Sequence, residues 1–271
     1  MFGILFAKTF FLVGMMLVIT TITTRINKAF ETTLEMVLTI LGAFTFLFAV
    51  TFFSHIFPLN LLLVACFAGV VGWSMGPTIT FYGRRFKLKQ FLKARNIKTK
   101  KDSEKENVVI YYKESVDANI EVVSEKEFDT LLKDFEVEIK NGGDPYDKKW
   151  QDIMFQSMLG TSLAVFASAA LVSVSDIDFS FLGMFLFIAL LLLIAVSLLN
   201  VFFFKSSKIS LTKAYFGVLI FTLYLIFDFQ RLESLIANGE TSWSAAIDIA
   251  VNLYLDIINL FLDLLYILSD G

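Results

Sequence analysis

Seven apolar segments, each close to the length that crosses a bilayer, punctuate this chain at roughly 4–22, 34–54, 58–82, 152–174, 179–204, 211–229 and 244–268. A helix needs about 20 apolar residues to span the hydrocarbon layer. Because lipid offers no partner to a stray backbone N–H or C=O, helices are the form such segments take. The pattern predicts an all-α polytopic membrane protein of seven transmembrane helices. The 31 phenylalanines and 56% hydrophobic content agree, since soluble domains of this length lack repeated apolar runs near 20 residues. The first segment has only Lys8 before its apolar run and is followed by Thr20-Thr-Ile-Thr-Thr-Arg25, not a small-residue cleavage site. It reads as a retained helix.

One hydrophilic stretch, 83–150, separates segments 1–3 (residues 1–82) from segments 4–7 (151–271), which together form one membrane domain. Residues 83–101 carry nine basic side chains and no acidic one, whereas 102–150 carry seven basic and fourteen acidic. Val108-Val-Ile-Tyr-Tyr112 and Ile120-Glu-Val-Val123 read as short strands. Ser124 with Glu127 reads as a capping box opening a helix to about Asp134. Phe135-Glu-Val-Glu-Ile139 alternates as a strand before the turn cluster Asn141-Gly-Gly-Asp-Pro145. The expectation is a small α/β or partly ordered insert. Within segment 3, Gly72-Trp-Ser-Met-Gly-Pro77 predicts a bend or break.

Charge sets the expected orientation. The links after segments 1, 3 and 5 hold Arg25 and Lys28, then the run Arg84–Lys101, then Lys205, Lys208 and Lys213. Those after segments 2, 4 and 6 hold His55, then Asp176 and Asp178, then Arg231. The positive-inside rule makes the first set cytoplasmic, with the N-terminus outside and the C-terminus inside. The Arg84–Lys101 run reads either as a stop-transfer flank or as a holder of anionic lipid headgroups.

Acidic residues inside the apolar segments are where chemistry is expected, because a carboxylate at membrane depth must be paired, protonated or in contact with water. These are Glu35, Asp228, Asp256 and Asp263, with Asp248 nearer an end. Asn252, Asp256, Asn259 and Asp263 are spaced four, three and four apart, which puts them on one stripe of the last helix. The short link around Asn238-Gly239-Glu240 makes the last two segments antiparallel neighbours, so Asp228 and Asp256 can meet. Two carboxyls in one low-dielectric site share a proton and titrate in coupled steps. That is the make-up of a pH sensor or proton-linked gate, and calcium suits the same oxygens when both ionise. Glu35, Asn259 and Asp263 are secondary candidates along such an ion path, and Arg231 can pair with Asp228 one turn away. Tyr224 and Tyr254 either donate to these acids or sit in an aromatic belt. The structural alternative for each acid is a hydrogen bond that serves packing alone.

No phosphate loop, His-Glu-x-x-His or Gly-x-Ser-x-Gly occurs, so neither an enzyme nor a nucleic-acid partner is expected. An intramembrane aspartyl protease would also place two Asp on neighbouring helices, but the Tyr-Asp and Gly-x-Gly-Asp contexts are missing. One Cys and one His rule out a Cys/His zinc site. A proton-coupled transporter would show an inverted repeat, which is not visible.

Tyr224-Leu-Ile-Phe-Asp228-Phe-Gln-Arg-Leu, a Gly-Glu-Thr linker and Leu253-Tyr-Leu-Asp256-Ile-Ile-Asn259-Leu-Phe-Leu are similar to the closing helices of the Bax inhibitor-1 family (transmembrane Bax inhibitor motif proteins). Asp178-Phe-Ser-Phe-Leu-Gly183 and Gly72–Pro77 agree more weakly. The resemblance implies a seven-helix bundle with a central last helix and a pH-sensitive calcium leak. It places the carboxylate pair on Asp228 and Asp256 and an acidic position of the second helix on Glu35. It implies no cofactor beyond calcium as a permeant or transiently bound ion, with Asp228 and Asp256 as its ligands. The family's alternative role is regulation of a membrane protease or a cell-death complex, for which residues 83–150 would be the docking surface. Ser54-His-Ile-Phe-Pro58 lacks the basic cluster some relatives have there, and the family's N-terminus-inside arrangement conflicts with the charge count. An Ile/Phe/Lys-rich composition with three prolines points to a bacterial cytoplasmic membrane.

Overall fold

The computed structural model describes residues 3–101, 109–114, 120–141, 143–175 and 177–270. It contains helices α1 (Ile4–Ile26), α2 (Thr33–Phe53) and α3 (Leu59–Ala94), strands β1 (Ile97–Lys101), β2 (Val109–Glu114) and β3 (Ile120–Val122), and helices α4 (Glu125–Asn141), α5 (Asp147–Val174), α6 (Leu182–Leu199), α7 (Ser207–Ala237) and α8 (Trp243–Asp270). All but α4 are long and apolar enough to cross a membrane, so the protein is an all-α polytopic membrane protein. The helices run past the apolar segments. Hydropathy marks the depth of hydrocarbon, whereas backbone hydrogen bonding continues into the polar flanks. At 1.5 Å per residue α3 is about 54 Å long, well beyond a ~30 Å hydrocarbon layer. Its last turns therefore stand clear of the membrane and carry the basic run.

α8 buries a larger share of its apolar window than any other span. It packs against α1, α3, α5 and α7, burying Ile247, Leu253, Tyr254 and Leu260 completely or nearly so. The bundle is built around it. α2 and α6, by contrast, present Phe44, Phe48, Met184 and Phe187 outward, the lipid-facing surface a bilayer solvates. The α6–α7 corner is stitched by one side chain. The Asn200 amide donates to Ser206 O (3.1 Å) and Ser210 Oγ (2.8 Å), and its Oδ1 accepts from Ser206 N (2.8 Å). The α7–α8 turn follows the expected chemistry. Gly239 takes a positive φ of 75°, and Ser242 Oγ accepts from Ala245 N (3.2 Å) to cap α8.

α3 is not broken at Gly72–Pro77; it continues to Ala94. The glycines serve contact with α1 instead. A Cβ on Gly72 would lie 2.0 Å from Thr23 Oγ1 and one on Gly76 1.8 Å from Asn27 O. Helices in lipid, lacking a hydrophobic drive to associate, gain by such close approach. Thr24 Oγ1 then donates to Gly72 O (3.1 Å) and the Asn27 amide to Trp73 O (3.1 Å).

The insert folds onto the protruding end of α3. β1, β2 and β3 form an antiparallel sheet in that order, with Ile97 opposite Lys113 and Tyr112 opposite Val122. Val108, the expected first residue of β2, lies outside the described residues, as do Gly142 of the turn cluster and Asp176. β1 was not expected, because its lysines read as part of the basic flank. Ser124 does open a helix, its Oγ accepting from Glu127 N (3.3 Å). That helix runs to Asn141, and the strand expected at Phe135–Ile139 is its second half. Phe128, Leu131, Phe135 and Ile139 recur at helical spacing and pack with Phe91, Leu92, Ile97 and Tyr146. Val137, which the alternation would have buried, is 55% exposed.

The basic run is a docking strip for this insert. Arg84 pairs with Glu136 (2.8 Å), Arg95 with Glu138 (3.0 Å), and Lys87 with Asp144 and with Asp147 (3.0 Å). The more exposed Arg84–Glu136 and Arg95–Glu138 pairs contribute roughly 0–1 kcal/mol each, the Lys87–Asp144 pair is more shielded, and the buried Phe91–Phe135 contact adds apolar hold. The Tyr146 hydroxyl (2.8 Å) and Arg95 together hold the Glu138 carboxyl below its ordinary value of 4.5. A lowered folded-state value contributes stability that is complete above the ordinary value and is lost as pH falls toward the lowered one. Amide exchange in 125–141 is therefore expected to accelerate as pH drops below about 4.5, after correction for intrinsic rates, and Glu138→Gln is expected to weaken that pH dependence, the remainder resting on carboxylates such as Asp147 that Lys87 holds low.

Candidate functional site

Asp228 and Asp256 sit in the bundle interior at 2% and 6% exposure. α7 and α8 are extensively packed antiparallel neighbours, and the register sets the two carboxyls close enough to act on each other. Oδ2 of each is buried with no donor within reach among the described residues. Within about one turn of them on α7 and α8 the buried side chains Leu225, Phe229, Leu253 and Leu260 are apolar. A buried carboxylate without a donor costs several kcal/mol, so two charges at this distance are not stable together. One proton held between the pair converts repulsion into an O–H···O⁻ bond. The arrangement is thus one that a proton held between the two carboxyls would relieve.

Charged neighbours act on the pair at a distance. Arg231 does not bind Asp228; its guanidinium pairs with Asp248 across the α7–α8 interface and reaches Asp228 through its field alone. The reason is that α8, one helix diameter away, presents an exposed carboxylate, whereas Asp228 points into the core. Tyr224 is close enough for its hydroxyl to sense both acids. Tyr254 turns away, sharing a 2.6 Å hydrogen bond with Thr20 of α1, and ties α8 to α1.

Asp263, further along the α8 stripe, has a partner that sequence reasoning missed. Lys213 Nζ lies 3.7 Å from its Oδ1. Gly217 makes room for the carboxylate, since a Cβ there would lie 1.9 Å from Oδ2. The antiparallel register that joins Asp228 to Asp256 also joins the start of α7 to the end of α8, and that geometry was the available signal. Two cavities, of 260 and 370 Å³, share Tyr82, Ser197, Lys213 and Asp263. One is also lined by Arg85 and Tyr266, the other by Asn259. Asn259 donates to Leu255 O (2.9 Å). Cavities with mixed polar and apolar walls therefore mark a route along α8 from Tyr266 to Asn259, one turn from Asp256.

Glu35 is not brought to this route. It accepts from the Trp73 indole (3.0 Å) and from Glu31 N (2.8 Å), fastening the start of α2 to α3. Among the described residues no three His, Cys, Asp or Glu side chains converge as a metal cluster. A cation at the pair would rely on two carboxyls and backbone or water oxygens.

A seven-helix membrane protein with a carboxyl pair between its last two helices is the class that fold and site define. Residues 146–271, which hold α5 to α8, match the family described as inhibitor of apoptosis-promoting Bax1. An uncharacterized protein of Campylobacter jejuni is 36% identical over 118 residues, 44% of this chain and 48% of that protein. The Golgi anti-apoptotic protein of vaccinia virus (strain Lister) is 36% identical over 117 residues, 43% of this chain and 47% of the viral protein. Protein LIFEGUARD 1 of Arabidopsis thaliana is 39% identical over 93 residues, 34% of this chain and 37% of the plant protein. Over residues 146–271 the chain is similar to the Bax inhibitor-1 family, and its seven apolar helices make it an integral membrane protein. The matches span about half, or less, of these relatives' lengths.

Proposed function

We propose that the protein is a pH-sensitive cation leak, with calcium as the favoured ion, whose gate is the Asp228–Asp256 pair. The observation that carries this reading is the pair itself: two buried carboxyls close enough to act on each other, each with an oxygen that lacks a donor. With a shared proton the pair clamps α7 to α8 and the path is closed. When both ionise, repulsion parts the helices or a cation enters between the carboxylates. The route past Asn259 and Asp263 leads the ion toward the C-terminal end, where Lys213 serves as a tethered counterion to Asp263 until a mobile cation displaces it. Bacterial relatives favour a bacterial cytoplasmic membrane as the setting.

The test is flux. Protein reconstituted in liposomes containing a calcium dye should pass calcium faster as external pH rises from 6 to 8. Equal flux at both values, or flux no greater than in empty liposomes, sinks the reading. Lys213→Met is expected to raise the high-pH leak by a few-fold, because Asp263 then loses its competing cation; unchanged flux would remove Asp263 from the path.

A second reading rests on the insert, which has its own small core and a polar outer face on α4. In this reading 83–150 docks a membrane protease or a stress complex. Removal of 97–141 should then abolish partner capture and leave any flux intact.

A further inference from the structure

The last turns of α3 carry two stripes of side chains. Arg84, Lys87, Phe91 and Arg95 are spaced three, four and four apart, so they share a face. All four hold the insert: Arg84 through Glu136, Lys87 through Asp144 and Asp147, Phe91 through Phe135 and Arg95 through Glu138. Tyr82, Arg85 and Lys89, spaced three and four apart, form a second face, and this one meets the end of α8. The Tyr82 ring lies edge-on to the Tyr266 ring at 5.2 Å. Lys89 donates to the backbone carbonyl of Asp270.

Arg85, between them, reaches a third helix as well. Its Nη2 lies 3.0 Å from Asp270 Oδ1 and 2.9 Å from Ser207 Oγ, and its Nη1 donates to the Tyr266 hydroxyl at 3.4 Å. One guanidinium from α3 therefore ties the start of α7 to the end of α8. The tie lies over the 260 Å³ cavity, whose lining includes Arg85, Ser210, Lys213, Asp263 and Tyr266. Ser207 is one turn before Ser210 on α7, and Asp270 is one turn after Tyr266 on α8. Because the two helices are antiparallel, both steps lead the same way, and the bonds to Ser207 and Asp270 cross the cavity at its outer end. Exposure agrees: the Arg85 side chain is 43% exposed, whereas Asp263, deeper along α8, is buried. A planar fork of five donors can serve acceptors on two helices at once, which a lysine ammonium cannot do in the same fixed geometry. An ion pair this exposed is also weak, so the tie can release and re-form.

We propose that Arg85 is a clasp that closes the outer end of the α8 cavities, and that solutes reach Asp263 when its guanidinium lets go of Ser207 and Asp270. The inference rests on the route assigned above to the cation leak and names the residue that regulates entry to it. α3 holds the clasp in place because its other face is fastened to the insert.

The experiment is the rate of thiol modification in lipid nanodiscs, which needs no flux. In full-length protein carrying Cys66→Ser, the α6 substitution Ser197→Cys places a thiol on the wall shared by both cavities. The probe is a trimethylammonium methanethiosulfonate, followed by intact mass. Arg85→Gln is expected to raise the rate about fivefold or more. Arg85→Lys, which keeps the charge and loses the fork, should raise it to a similar degree. Asp270→Asn, which removes only the ionic partner, should raise it about twofold. Ser168→Cys, buried on α5, should react at the same slow rate with or without Arg85. A rate at Ser197→Cys that ignores Arg85→Gln would overturn the clasp. So would an equal rise at Ser168→Cys, which would show general loosening, or an Arg85→Lys rate equal to that with arginine, which would show a plain charge barrier. Calcium flux on the same proteins separates the two readings. Faster labelling in Arg85→Gln without flux in any variant keeps the clasp and sinks the leak, whereas flux with unmoved labelling keeps the leak and sinks the clasp.

Discussion

Asp228→Asn and Asp256→Asn are each expected to erase the pH response of calcium flux. An asparagine amide donates permanently to the remaining carboxylate, standing in for the shared proton at every pH. The clamp between α7 and α8 then no longer depends on protonation, and flux should stay at its low-pH level throughout. A gate worked by one proton changes by at most about tenfold per pH unit. From pH 6 to 8 the wild-type ratio can therefore reach about 100, whereas in either variant it should be close to one. Asp228→Ala should act in the opposite sense. It removes one carboxyl, leaves Asp256 buried without a partner and loosens the helix contact, so a leak that persists at low pH is expected. Variants that keep the wild-type pH ratio would remove the pair from the gate, even if flux itself is confirmed.

As the proposed gate, the pair would have two states that differ in charge within a surrounding that barely changes. Leu225, Phe229, Leu253 and Leu260 cannot screen a second negative charge, so the cost of ionising both falls on the α7–α8 contact. The Arg231–Asp248 pair and Tyr224 adjust that cost from outside. Arg231→Gln is expected to shift the midpoint of the flux–pH curve upward, because loss of a nearby positive field makes the second ionisation harder. A midpoint that stays put in a titration across pH 5–9 would show that Arg231 acts only as the local tie to Asp248.

Several of these features were legible in the sequence for identifiable reasons. Seven apolar segments dictate seven helices because lipid leaves the backbone no other option. Asp228 and Asp256 could be paired because a short link forces antiparallel neighbours. Misreadings arose where one pattern serves two geometries. Five residues, Phe135 to Ile139, satisfy both a period of 2 and a helical stripe once Phe128 and Leu131 are included. Arg231 has one acid three residues back along its own helix and another on the next helix, and only the direction of each side chain decides between them. Lys213 looked like a flanking topological charge, because nothing local in sequence connects it to Asp263. Gly72 and Gly76 looked like breakers because a helix, read alone, does not reveal which neighbour presses against it.

That last misreading leads to the largest effect on stability. Gly76→Leu is expected to prevent accumulation of correctly folded protein. Even the first side-chain carbon at this position would lie 1.8 Å from Asn27 O and 2.7 Å from Thr24 O. Both are backbone atoms at the end of α1 and cannot swing aside like the tip of a long side chain. Overpacking that flexible neighbours can absorb costs about 1–3 kcal/mol; here α1 itself must move, which also parts Thr24 from Gly72 O and Asn27 from Trp73 O. A loss above about 3 kcal/mol is expected, a large fraction of the stability of an ordinary domain. It should appear as aggregated material in detergent size exclusion and a Tm lowered by many degrees in whatever remains monodisperse. Gly14→Ala is the matched control: nothing lies within 4 Å of its added Cβ, and alanine is the better helix former. A Gly76→Leu protein as monodisperse and stable as Gly14→Ala would mean that the close seam between α1 and α3 is not what holds the first helix in place.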